Sequence, residues 1–211
     1  MEISWEEYFR DLAFQVSKKS KDRSTQIGAV IVGSDNQIIS TGYNSFPRGI
    51  DDYNESRHER PEKYFWFEHA ERNAIYNAAL NGVSTKGATM YLSCDIPCAD
   101  CARGIINAGI KKIVLERGGG VDMSKKFQWH ESCSKGKEML LEADVDIHYY
   151  QDYPFYQEKV KVEEIQKKAE VLKLTNILEQ VTKEIQDNNP DLSLLQCTEA
   201  AWIRIGMIEY L

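Results

Sequence analysis

Long apolar runs are missing from this 211-residue chain. Its longest unbroken aliphatic stretch, Gly28 to Val32, is far shorter than the ~18 apolar residues a membrane-spanning helix needs. The acidic start MEISWEEYFRD shows no secretory pattern, so a cytoplasmic location is expected. Positive charge is also in deficit. With 26 Lys+Arg against 33 Asp+Glu the net charge is −7, and a sequence-independent grip on duplex nucleic acid, which depends on cations neutralising phosphates, is excluded. Cysteine is scarce and odd in number, at five. A secreted disulfide scaffold would spread an even set over a shorter chain, whereas here Cys94, Cys98 and Cys101 crowd into eight positions. Clustered thiols in a reducing compartment point to a metal. Cys133 and Cys197 stand apart and read as packed thiols. With 42% hydrophobic residues the chain is globular, neither collagen-like nor mucin-like nor disordered.

The periodicity predicts its elements. SWEEYFRDLAFQVSKKS places Ser4 at an N-cap, Glu7 at capping-box spacing, and Trp5, Tyr8, Phe9, Leu12 and Val16 at helical intervals. QIGAVIVG and QIISTGY read as a hairpin around Ser34-Asp35-Asn36, and residues 44–64 as a long loop. A helix begins at His69 and stops at Asn81-Gly82. ATMYLS is a buried strand, CADCARGIINAG a helix ended by Gly109, KKIVLE a strand, 128–143 a helix and VDIHYY a last strand. This alternation after an opening antiparallel pair predicts an α/β fold: a three-layer α/β/α sandwich around a mixed sheet. After Pro154 the composition turns Lys/Glu-rich. Residues 1–153 are therefore expected to form one domain, and 154–211 a helical C-terminal extension. In that extension Ile165, Ala169 and Leu172 fall on one face but Leu174, Leu178, Val181 and Ile185 on the opposite one. Either the helix breaks near Lys173 or two partners cover it.

Chemistry concentrates in two short motifs. His69-Ala70-Glu71 opens one helix, and Pro97-Cys98-Ala99-Asp100-Cys101 opens another, with His69 and Cys98 29 residues apart. One imidazole and two thiolates form a zinc set that keeps a fourth position for water, as catalytic sites do. Helix N-termini favour thiolate and stabilise nearby negative charge. Glu71, two residues beyond His69, is badly spaced as a ligand of the same ion but can reach its water, which assigns it proton transfer. A C-x-x-C pair alone could be redox-active or half of a closed structural site, yet no second pair completes one. H-x-E with P-C-x-x-C is the signature of the zinc deaminases. Cys94, ending a buried strand, reads as core.

Together with TQIGAVIVG, GYNSFPRG, HAERNAI and PCADCARGIINAGIKKIV, these motifs resemble the deoxycytidylate deaminases of the cytidine deaminase superfamily, over roughly residues 4–150. The resemblance implies the cytidine deaminase-like fold, Zn2+ as cofactor, and conversion of dCMP and water to dUMP and ammonia. It implies His69, Cys98 and Cys101 as ligands and Glu71 as proton shuttle. The Ala70 backbone would approach the base carbonyl and Asn44 the sugar, with Ser93 and Trp129 lining the pocket. Asn44 reads equally as a turn former at a strand end. Arg23, Arg48 and Arg103 are candidates for the phosphate, and each could equally be a solvated surface residue. The family further implies dCTP and dTTP as effectors and a homo-oligomer, often a hexamer, although Ser45 stands where many members have glycine after GYN. Two other readings stay open: a tRNA adenosine or polynucleotide cytidine deaminase, and a non-catalytic nucleotide sensor. The acidic charge opposes the first, and Glu71, useless to a purely structural metal, opposes the second.

Overall fold

The computed structural model describes residues 3–117, 119, 126–152, 161–163, 165–166 and 175–204, without the side chains of 126–130, 175, 176, 203 and 204. The chain divides into two compact units, Met1–Tyr150 and Gln151–Leu211. Tyr153 and Pro154, where the composition changes, and Lys173, where a helix break was expected, lie outside the described residues.

In the first unit, helix α1 (Trp5–Ser17) begins where the Ser4 hydroxyl accepts the Glu7 N–H at 3.1 Å, relieving one of the orphan donors of a first turn. The strands β1 (Gly28–Val32) and β2 (Ile38–Tyr43) form the expected hairpin. Asn36 turns it at φ 61°, a left-handed value asparagine tolerates well. The segment after β2 is mostly irregular, interrupted by a 3-10 turn at Glu55–His58 and the single-turn helix α2 (Lys63–Trp66). Then follow α3 (Ala70–Leu80), β3 (Thr89–Leu92), α4 (Ala99–Asn107), β4 (Lys112–Leu115), α5 (Lys126–Glu142) and β5 (Asp146–Tyr149).

The five strands are ordered β2-β1-β3-β4-β5. β1 is antiparallel to both β2 and β3, while β3, β4 and β5 run parallel, so the sheet is mixed. Side chains alternate across the pleat. Ala29, Ile31, Met90, Leu92, Ile113 and Leu115 share the core face with Ala70, Ala74, Ala102, Ile105 and Leu140 of α3, α4 and α5. On the opposite face α1 packs over β1, β2 and β3, with the Phe9 and Tyr91 rings 5.1 Å apart. This is the three-layer sandwich.

Two glycines set the layer spacing. A Cβ on Gly28 would stand 2.0 Å from the Ala13 carbonyl oxygen, and one on Gly42 would stand 2.3 Å from the Ala74 nitrogen. The helices on the two faces therefore sit closer to the hairpin than any side chain would permit. The apolar stripe expected on α1 is correct only in part. Phe9 and Ala13 face the sheet, but Trp5 and Tyr8 are exposed, because the packed row runs i, i+4, i+8 through Phe9, Ala13 and Ser17. Trp5 stacks instead on Phe9 at 5.5 Å.

The second unit contains α6 (Thr175–Asn188) and α7 (Leu194–Arg204), packed on each other. Leu178, Ala201 and Trp202 form its core with Ile165, flanked by Val181, Ile185 and Leu195. Among the described residues no helix is long and apolar enough to cross a membrane.

Candidate metal centre and active site

His69 and Cys98 are the N-cap residues of α3 and α4, both in extended backbone, and neither side chain caps its own helix. A capping Ser or Asp would spend its side chain on the first-turn amides; here these side chains remain turned to each other. The His69 Nδ1 lies 3.5 Å from Cys98 Sγ and 3.4 Å from Cys101 Sγ. The three ligand atoms fall within 4.8 Å of one another, the set of this kind found among the described residues. Tetrahedral zinc with ordinary Zn–S and Zn–N bonds requires N···S separations of roughly 3.5 Å, so the residues fit the ion.

Electrostatics follow from burial and proximity. The Cys98 thiol is pulled down to about 4, chiefly by a hydrogen bond from Cys101, and by His69, against burial. Cys101 is pushed up by that same shared proton and by burial. For His69 burial pulls downward, but the Cys98 sulfur and Glu71 outweigh it and leave the imidazole raised. Glu71, in the first turn of α3 and only 3% exposed, has its carboxyl raised by burial, with the His69 charge opposing and Cys98 adding. A carboxyl held above its solution value is suited to accept a proton and return it.

Neighbours hold these groups in place. The Arg72 guanidinium donates to Cys101 Sγ at 3.7 Å and to Glu68 at 2.7 Å, and Glu68 also accepts the His69 N–H at 2.9 Å. Ser45 and Glu68 exchange backbone hydrogen bonds of 3.1 and 2.8 Å, and Asn73 donates to the Tyr43 carbonyl at 2.8 Å. The strand end carrying Asn44 is thus sewn to the start of α3. Ser132 on α5 accepts the Ala99 N–H at 3.1 Å, capping α4 from outside.

The site opens into a cavity of about 180 Å³ whose lining includes Asp22, Asn44, Arg60, Lys63, Ala70 and Glu71. His69, Cys98, Cys94 and Cys133 line it too. Cys94 is at once core and cavity wall, and Cys133 is a half-buried thiol raised to about 11, first by burial. Asn44 does line the cavity, yet its amide is engaged as a turn former's would be. Its Oδ1 accepts the Ile27 N–H at 2.8 Å and its Nδ2 donates to the Thr25 carbonyl at 2.8 Å. Ser93 was expected at the pocket wall but is not among the lining residues. It is buried, with its hydroxyl accepting the Gly28 N–H at 2.9 Å, and serves to join β3 to β1. Trp129 falls in α5, but its side chain lies outside the described residues. None of the three arginines singled out for phosphate lines this cavity. Arg23 is paired with Glu55, Arg103 with Asp100, and Arg48 with Asn77 beside a second, more polar cavity that also holds Lys21 and Asp52.

Three groups at the site were not anticipated. Arg72 sits inside HAERNAI, where its i, i+4 spacing from Glu68 was the available signal. Lys63 and Asp22 form a buried ion pair at 2.7 Å, with side chains 7% and 8% exposed. Burial pushes the Asp22 carboxyl up, but hydrogen bonds from Lys63 and Ser24 outweigh it and hold the group below its ordinary value. The third is Arg60, at the same wall.

Residues 3–117 match the family described as the cytidine and deoxycytidylate deaminase zinc-binding region. The deoxycytidylate deaminase of Mus musculus is 40% identical over 153 residues, covering 70% of this chain and 80% of that protein. A probable deoxycytidylate deaminase of Drosophila melanogaster is 37% identical over 154 residues, covering 68% and 71%. In fold, the chain is similar to the dCMP deaminase of cyanophage S-TIM5 solved with dCMP and dUMP. That similarity has a TM-score of 0.53 at 22% identity and covers 71% of this chain and 98% of that one.

Proposed function

Because this chain belongs to the cytidine and deoxycytidylate deaminase family, we propose that it is a zinc-dependent hydrolase converting dCMP and water to dUMP and ammonia. The observation that carries this reading is the convergence of His69, Cys98 and Cys101 at one point, where His69 and Cys98 line the same cavity as buried Glu71. When bound there, zinc supplies a water whose pKa is lowered to about 7. The Glu71 carboxylate takes a proton from the attacking water and delivers it to N3 of the cytosine ring. As the new C–O bond forms at C4 and the C4–N4 bond breaks, Glu71 carries a second proton to the departing amine. Its burial supports this double duty, since a carboxyl with a raised pKa holds the proton long enough to pass it on. Arg72 keeps the Cys101 sulfur oriented. In this reading the Ala70 backbone approaches the base carbonyl and the second lone pair of the Asn44 Oδ1 accepts from a sugar hydroxyl, which their position in the cavity lining supports.

The same reading assigns catalysis to residues 1–153 and leaves 154–211 as an appended helical unit. It also includes a cytoplasmic location, homo-oligomeric assembly, and dCTP and dTTP as effectors. Assembly and effectors rest on the family resemblance, and the effectors also on the polar second cavity beside Arg48. Ammonia release measured across cytosine, deoxycytidine, dCMP, CMP and dCTP, with and without a chelator, tests substrate and metal together. Turnover of dCMP that stops on chelation is expected; dCMP turnover that survives removal of all zinc overturns the reading.

A further inference from the structure

We propose that Arg60 receives the 5′-phosphate of the ligand and so makes the cavity select nucleotides over nucleosides. The inference rests on the nucleotide reading above and names the residue that would enforce it. Two cationic side chains, Arg60 and Lys63, are among the residues lining the catalytic cavity. Lys63 is already committed: its ammonium donates to both Asp22 carboxylate oxygens, at 2.9 and 2.7 Å, and to the Ser24 hydroxyl at 2.9 Å. Three donors are spent on three acceptors, and the charge is cancelled in a buried pair. Arg60 is different. Its Nε donates to the Tyr64 hydroxyl at 2.8 Å and its Nη2 lies 3.4 Å from the Ser24 hydroxyl. Both partners are neutral oxygens, which aim the guanidinium without cancelling its charge. Among the described residues no carboxylate forms an ion pair with it.

The remaining N–H groups of that guanidinium form the planar fork that matches two oxygens of a phosphate. Ser24 links the two cations: its hydroxyl accepts from Lys63 and donates to Asp22 at 2.9 Å. The buried Lys63–Asp22 pair therefore serves as the anchor of the wall on which Arg60 stands, and Arg60 as its outward charge. Arg23, Arg48 and Arg103 are engaged elsewhere, which leaves Arg60 as the described arginine facing the cavity.

Equilibrium binding of dUMP and of deoxyuridine to the zinc-loaded full chain, read by titration calorimetry, tests this. Wild type should bind dUMP more tightly than deoxyuridine, and Arg60→Met should cut that ratio roughly tenfold to hundredfold, as expected for loss of a charge-assisted contact. Arg60→Lys should restore part of it, Arg23→Met none being lost, and raising the salt to 0.5 M should shrink the wild-type ratio because the residue is exposed. A ratio that survives Arg60→Met in a protein of native melting temperature overturns the assignment of Arg60 while sparing the nucleotide reading. Equal loss for both ligands assigns Arg60 a structural role and overturns it as well. A wild type indifferent to the phosphate defeats the proposal together with the monophosphate reading, and ammonia release from dCMP then decides whether the deaminase itself stands.

Discussion

The His69 Nδ1 stands 3.4 Å from the Cys101 Sγ although 32 residues separate them in sequence. Two helix N-termini are thereby directed at one point, and their first turns bring partial positive charge to where two thiolates must be stabilised. The arrangement has a thermodynamic consequence. Without its ion the site keeps a proton shared between Cys98 and Cys101 beside a buried carboxyl; binding the ion releases that proton and engages both sulfurs, so ion binding and folding are linked.

Cys101→Ser should therefore yield a chain with well under one zinc by elemental analysis, and a melting temperature that no longer rises when zinc is added. The wild type should hold one zinc per chain and lose thermal stability on chelation, as mass action requires. Stoichiometric zinc in the variant would contradict the ligand assignment.

Glu71→Gln separates metal binding from proton transfer. The amide is nearly isosteric with the buried carboxyl, so zinc content should stay near one per chain, while kcat for dCMP falls by roughly 10²–10⁴, the usual worth of a general acid–base group. A parallel loss of zinc would make Glu71 a support of the metal instead.

The elements and motifs that could be read from the sequence are those whose information is local. Ser4 with Glu7, the β-branched hairpin, H-x-E and P-C-x-x-C each lie within a few residues, and their helical or strand period states which way they face. The zinc set could be joined across 29 residues because the chemistry of three ligands demands one centre. What escaped depends on how the mostly irregular segment 44–66 folds against the connection between α1 and β1. Lys63 meets Asp22 across 41 positions, and neither residue carries a period or a motif that announces the other. Arg60 lies in no recognisable motif, whereas Arg23, Arg48 and Arg103 are turned to Glu55, Asn77 and Asp100, away from the catalytic cavity. Ser93 stands one position before the cavity-lining Cys94, but a hydroxyl there is as easily taken by a neighbouring strand's N–H.

The buried ion pair makes a prediction of its own. Lys63→Met leaves the Asp22 carboxylate uncompensated and should destabilise the first unit by about 3–5 kcal/mol, with much of the loss recovered in the double variant Asp22→Asn/Lys63→Met. Denaturant unfolding of the four proteins gives the coupling. The pH dependence has a definite sign. Because the folded-state pKa of Asp22 is depressed below 3.8, its stabilisation is fully present above about pH 4 and is lost as pH falls through the depressed value. The advantage of wild type over the double variant should hold at pH 6 and shrink on acidification below about pH 4.

Gly42→Ala tests whether the contact between sheet and helix governs the site. Its Cβ would meet the Ala74 nitrogen at 2.3 Å and the Ala70 carbonyl oxygen at 2.5 Å, both backbone atoms that cannot rotate away. The clash must be relieved by lifting α3 off β2, and α3 carries Glu71 in its first turn with His69 as its cap. Overpacking of a tight interface commonly costs about 1–3 kcal/mol. Here the larger effect should be functional, because a helix displaced by a few tenths of an ångström moves the imidazole relative to two thiols held on α4. Zinc affinity measured by competition with a chromogenic chelator should fall, and dCMP turnover with it. Gly49→Ala, where no atom lies within 4 Å of the added carbon, carries only the backbone cost of its positive φ of 81° and should leave zinc affinity intact. Equal zinc affinities in the two variants would show that α3 can shift without disturbing its ligands.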